Sequence, residues 1–173
     1  MRQIIITIAL ALCCVTGLRA QTLAAHTDVA LLAAQTYNLG AELTVGNRTT
    51  LNLDGLIARK PYWSSDAKAY ALQPEIRYYF GGRPMYHHFV GISAIAAKYD
   101  LKFNDNLHSG QALGGGLTFG YVIPLGHYFT IDAHGGLGFV AYHDAKNNDP
   151  NGKQWGYTLA PTKVGVTLSY IIR

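Results

Sequence analysis

The chain has 173 residues, with 14 Lys and Arg against 10 Asp and Glu, for a formal net charge of +4. That length suits a single domain, and the basic residues form no clustered footprint, so nothing marks nucleic acid as a partner. The two cysteines, Cys13 and Cys14, lie side by side near the start. The remainder therefore has no disulfide, thiol chemistry or cysteine metal site open to it.

Residues 1–20, MRQIIITIALALCCVTGLRA, join a basic start at Arg2, an apolar run from Ile4 to Leu18 and the small Ala20. This is the layout of a secretory signal peptide, with cleavage expected after Ala20 and a mature domain over 21–173. A lipid anchor needs a small residue before the modified cysteine, whereas Leu12 precedes Cys13 and Cys13 precedes Cys14. Loss of Arg2 and Arg19 lowers the formal charge from +4 to +2. No long uninterrupted apolar run follows, which excludes transmembrane helices.

From Gln21 onward the periodicity is two rather than 3.6. HTDVALLAA is the first and weakest alternating segment. In YNLGAELTV, Tyr37, Leu39, Ala41, Leu43 and Val45 share one face against Asn38, Gly40, Glu42 and Thr44. TLNLDGLI sets Leu51, Leu53 and Ile57 against Asn52, Asp54 and Leu56, and LQPEIRYYF sets Leu72, Pro74, Ile76, Tyr78 and Phe80 against Gln73, Glu75 and Arg77. HFVGISAIAAKYDLKF changes phase near Ala94–Ala97, which predicts a bulge. GGGLTFGYVI, YFTIDAHGGLGFVA and KVGVTLSYII complete the series and again divide apolar from small and polar residues. The spacing predicts eight strands, near 26–34, 36–45, 49–58, 69–80, 87–99, 110–124, 127–142 and 160–173. Short turns at Gly46–Arg48, Gly81–Tyr86 and Pro124–Gly126 alternate with the longer polar stretches RKPYWSSDAK, DLKFNDNLHS and HDAKNNDPNGKQWG.

The predicted fold is all-β: a closed, antiparallel, up-and-down eight-stranded barrel. Two orientations compete. In a soluble ligand-binding barrel the apolar face lines the cavity; in an outer-membrane barrel it meets lipid. An eight-stranded interior is only wide enough to be filled by side chains. The polar face, rich in Gly, Ser, Thr and Asn, fits that space, whereas the Leu, Ile, Phe and Tyr of the other face would overfill it. Segments of about ten tilted residues match the hydrocarbon layer. Tyr and Trp near segment ends, among them Tyr62, Trp63, Tyr78, Tyr79, Tyr128, Tyr142, Trp155 and Tyr157, suit membrane interfaces. The expected location is the outer membrane.

NLGAELTVGNRTTLNLDG, LQPEIRYYF and APTKVGVTLSYIIR together resemble an outer-membrane β-barrel family found in Bacteroidota, domain of unknown function 3575. Gln73, Pro74, Glu75 and Arg77 carry the most specific part. The resemblance implies an eight-stranded outer-membrane barrel and no established activity. Contact with outer-membrane lipid, and with the barrel-insertion machinery during assembly, follows from that location. A terminal aromatic is usual for such insertion, but this chain ends Ile171-Ile172-Arg173, so Tyr170 is expected to serve instead.

Glu42, Asp54, Glu75, Arg77, Asp132 and Lys163 all fall on the polar phase, with Lys98 a further base. Charges withdrawn from water must be paired, so these residues are expected to zip the lumen shut. His134 lies two residues after Asp132 on the same face. The pair belongs to this network, or, with a serine such as Ser93 or Ser169, to a lipid-modifying acyl-transfer site. His87 and His88 are adjacent and expected on opposite faces, unable to share a metal. Asp144, Asn147, Asn148, Asp149 and Asn151 carry oxygen ligands but lack the calcium-loop spacing, and DPNG reads as a turn. No metal and no cofactor is expected. Tyr62, Trp63 and Trp155 either join the upper interface or contact a surface protein or glycan. The leading function is non-enzymatic, in envelope integrity or surface interaction. The alternatives are lipid modification through His134 and Asp132, and an accessory role in the assembly of surface fibres (fimbriae).

Overall fold

The computed structural model describes residues 22–59, 67–103, 106–145 and 156–172. Eight antiparallel strands close into one barrel in chain order: β1 (Leu23–Asp28), β2 (Thr36–Thr44), β3 (Thr49–Arg59), β4 (Ala67–Tyr79), β5 (His87–Phe103), β6 (Asn106–Leu125), β7 (Phe129–Ala145) and β8 (Gly156–Ile172). β1 pairs with β2 on one side and β8 on the other, so the ladder has no break around the circumference. The alternation predicted for β2 to β4 and β6 to β8 holds: Glu42, Asn52, Glu75, Arg77, Thr118, Asp132 and Thr167 are buried, while Leu39, Ile76, Phe119, Phe139 and Leu168 are exposed. Small inward residues let the walls and the lumen side chains approach. Gly116 and Gly138 pair across β6 and β7, and a Cβ on either would meet the backbone of the opposite strand.

The N-terminal expectation is corrected. The strand expected over 26–34 ends at Asp28, and Val29–Ala33 form a short helix, α1. VALLA has no alternation to hold a strand, and the Asp28 carboxylate caps the turn by accepting from the N–H groups of Ala30 and Leu31 at 2.9 and 3.0 Å. Gln35, at φ 58°, reverses the chain into β2.

Three further expectations change. The polar stretch DLKFNDNLHS is mostly strand, paired as Asp100↔Ser109, Leu101↔His108, Lys102↔Leu107 and Phe103↔Asn106, so it is the end of a long hairpin rather than a loop. No bulge interrupts β5 near Ala94–Ala97, where the register to β6 is continuous. The irregularity lies instead between β7 and β8, where Gly136 faces Lys163 and Leu137 faces Pro161, leaving Thr162 as the extra residue. Lys98 keeps the outward phase and is exposed. Pro74 pairs with Leu53 of β3, but the β4–β5 ladder skips Gln73 and Pro74, as expected of a residue with no N–H to donate.

The aromatics also sort differently from the expectation. Tyr79 turns inward and is fully buried against Phe89 and Val122, the apolar plug of the lumen; it is no interface residue. His87, at φ 59°, swings out of the strand phase, so both it and His88 pack on the ring of Tyr121. Tyr62, Trp63 and Trp155 lie outside the described residues. Tyr170 is half-exposed on the outer wall, with the rings of Tyr128 and Phe129 at 6.2 and 5.2 Å. If Tyr170 guides insertion, Tyr170→Ala should lower the yield of folded barrel in membranes severalfold at equal expression. Quantitative immunoblotting that returned wild-type yield would remove that role.

Candidate functional site

Among the described residues, the interior brings the charged side chains together. Its centre is Arg77, supplied by the inward phase of β4 and 2% exposed. Its Nε donates to Glu75 Oε2 at 2.9 Å, and its Nη1 donates to Glu42 Oε2 and Asp132 Oδ2, each at 3.1 Å. The guanidinium also lies 4.5 Å from the centre of the Phe89 ring. One planar fork thus holds carboxylates from β2, β4 and β7, a task for which Arg is better shaped than Lys. Glu42 is satisfied further by Thr50 Oγ1 at 2.5 Å and the Tyr79 hydroxyl at 2.6 Å, both donating to its Oε1.

Glu75 joins this lower group to an upper one. Lys163 Nζ donates to Glu75 Oε2 at 2.8 Å and to Asp54 Oδ2 at 2.6 Å. Asn52 Nδ2 reaches the same two oxygens at 3.3 and 2.8 Å. Two histidines extend the network. His26 Nε2 meets Asp54 Oδ1 at 2.6 Å, and His134 Nδ1 meets Asp132 Oδ1 at 2.6 Å, with its Nε2 3.7 Å from Asp28 Oδ2.

All seven residues expected in the lumen network, Glu42, Asp54, Glu75, Arg77, Asp132, His134 and Lys163, therefore meet in one connected cluster. Sequence reasoning missed His26 and Asp28, which sit in the misread first segment, and Tyr79, which was assigned to the membrane interface. A signal for the first two was present: Ala24, His26 and Asp28 repeat at period two, with room for Asp28 made by Gly165 across the seam, where any Cβ would strike the carboxylate. Among the described residues, no serine hydroxyl is hydrogen-bonded to His134. His134 Nε2 has no hydrogen-bond partner, and the Ser93 hydroxyl is engaged with Gly116 O and Thr118 Oγ1 of β6.

Above the network a recess of about 110 Å³ opens among Asp28, Asp54, Gln73, His134 and Lys163, with Leu31, Leu56 and Val164 beside them. That is room for a few water molecules, and it lies at the α1 end of the barrel. The calcium-type loop residues from Asn147 to Asn151 lie outside the described residues.

A family model described as "Protein of unknown function (DUF3575)" matches residues 5–172. Comparison with curated proteins and with solved structures found no match.

Proposed function

The chain belongs to the DUF3575 family, and from that premise we propose that it is a small outer-membrane β-barrel that acts without catalysing a reaction, serving envelope integrity or surface interaction. One observation carries the reading: a closed barrel with charge inside and large apolar side chains outside. Leu39 and Phe139 are 72% exposed and Tyr157 is 77% exposed, whereas Glu75 and Arg77 are 1% and 2% exposed. A soluble monomer rarely shows so broad an apolar surface, while a barrel in lipid requires one. Tyr78, Tyr121, Tyr128 and Tyr170 gather toward the end with short turns, and Tyr70, Tyr142 and Tyr157 toward the other, in the manner of two interfacial girdles. The short-turn end faces the periplasm in this reading, and the α1 end faces outward. What supports the non-enzymatic part is the lumen, where Arg77 and Lys163 are each held by carboxylates and, among the described residues, no hydroxyl is hydrogen-bonded to His134.

Outer-membrane fractionation tests the location: the protein should require detergent for release and should migrate faster on gels before boiling than after. Recovery from the periplasm without detergent would remove the reading. Within the same fractions, His134→Ala should leave the lipid A mass profile unchanged; a changed profile would favour the lipid-modifying alternative.

A further inference from the structure

The barrel wall is not level. Over the described residues the strands from β1 to β6 have 6, 9, 11, 13, 17 and 20 residues, and β7 and β8 have 17 each. Where the ends meet, the tall β8 stands beside the shortest strand. Their ladder stops at Asp28↔Thr167, so among the described residues no strand pairs with Gly156–Val166 on that side. A tilted, staggered barrel makes this step tangible. The cross-ladder path from Leu23 through Leu43, Leu51, Ile76, Ile92, Leu117 and Leu137 arrives at Pro161, level with no residue of β1.

Helix α1 stands in the step. None of its residues is buried, and Val29 and Leu32 are 42% and 39% exposed, so an apolar turn is presented where the wall is cut away. The recess described above reaches this place. Its lining includes Lys163 and His134 from the lumen together with Val164, which points out of the wall and is 63% exposed. A recess lined from both faces of one strand passes around that strand's free edge. Among the described residues it therefore opens sideways as well as upward.

We propose that this step is a lateral entrance from the outer leaflet, and that the recess takes the head of a single-chain or acyl-bearing amphiphile carrying a primary ammonium group. The inference rests on the outer-membrane reading. Val164 and Leu31 carry the outer apolar surface to the recess, where Leu56 meets it from the inward face, and together they suit the start of a hydrocarbon chain. The polar floor decides the head. Asp28 and Asp54 line it and, among the described residues, Lys163 is its one permanent cation, already held by Asp54 and Glu75, with His134 as a further base. An excess of carboxylate favours a cation over a phosphate or sulfate. His134 adds an independent sign: its side chain lines the recess, and its buried Nε2 has no hydrogen-bond partner and faces Asp28. An ammonium offers three donors, suited to the Asp28 carboxylate and to that imidazole nitrogen. Head and chain together select an amphiphile rather than a free amine.

The test is a methyl and imidazole NMR titration of the full barrel in micelles of an uncharged sugar detergent. Dodecylamine should shift the Leu31 and Val164 methyls and the His134 ring saturably, at concentrations at least tenfold below those needed by methylamine. Dodecyl sulfate should not reproduce those shifts. Leu31→Trp, which narrows the entrance from the helix, and Val164→Trp, which narrows it from the wall, should each weaken binding at least tenfold; heat-modifiable migration shows which variant is folded. The proposal falls if dodecylamine gives no saturable shift at these sites, if dodecyl sulfate matches it, or if the folded Trp variants bind as the wild type does. A protein that fractionates to the outer membrane but fails this titration loses the entrance alone; one recovered from the periplasm loses the membrane reading as well.

Discussion

Replacing Arg77 with methionine should destabilise the barrel by about 3–5 kcal/mol, the cost of leaving buried carboxylates without their counter-charge. Methionine keeps much of the side-chain length, so the loss reports charge and hydrogen bonding more than an emptied space. Among the described residues, Arg77 is the only permanent cation touching Glu42 and Asp132, and it shares Glu75 with Lys163. All three carboxylates would remain in a lumen with little water. The measurable result is a lower temperature for loss of the fast-migrating folded form, accompanied by reduced insertion. Adding Glu42→Gln to Arg77→Met should restore part of the stability, because it removes one of the orphaned charges. A double-mutant cycle with no coupling between the two positions would overturn the account of Arg77 as the closing element of the lumen.

The second large effect concerns space. Gly138→Val should cost about 3 kcal/mol, near the upper end for overpacking. The added Cβ would meet Gly115 O, with the Cα of Gly116 at 2.6 Å, and both belong to the backbone of the paired strand. A side-chain neighbour could rotate away; a backbone ladder can move only by separating. The expected readout is a folded form that melts at lower temperature in detergent. Gly135→Ala serves as the control on the same strand, since nothing lies within 4 Å of its Cβ, and it should change the transition little. Equal effects at the two positions would show that loss of glycine flexibility, rather than close approach, governs β7.

The interior cluster was legible because a strand has a period of two. Once Gln73, Glu75 and Arg77 fall on one face, closure of the sheet places every residue of that phase in a single narrow volume, and opposite charges there must pair. Glu42, Asp54, Asp132, His134 and Lys163 follow by the same rule, although they are spread over four strands. The misreadings share a different cause. VALLAA contains enough apolar residues to continue a strand, and only the Asp28 cap, with its two backbone N–H groups, shows that a helix begins instead. Tyr79 is amphipathic and fits either an interface or a lumen; its hydroxyl contact with Glu42 decides the matter, and that contact depends on β2 lying near β4 across the interior. Polarity also suggested a loop at DLKFNDNLHS, where the register of β5 and β6 continues as a ladder.

The sequence by itself determined seven of the eight alternating segments, the inward and outward faces of six of them, and the membership of most of the charge network, because period and polarity are local properties. It could not determine which carboxylate Arg77 would bind, where the extra residue in β8 would lie, or that β1 would stop short beside a tall neighbour. Those depend on stagger, the offset accumulated as eight tilted strands close on themselves. Stagger brings Glu42 and Asp132 to one guanidinium, sets Thr162 outside the ladder, and leaves the free edge of β8 beside α1. It exists only when the sheet is closed.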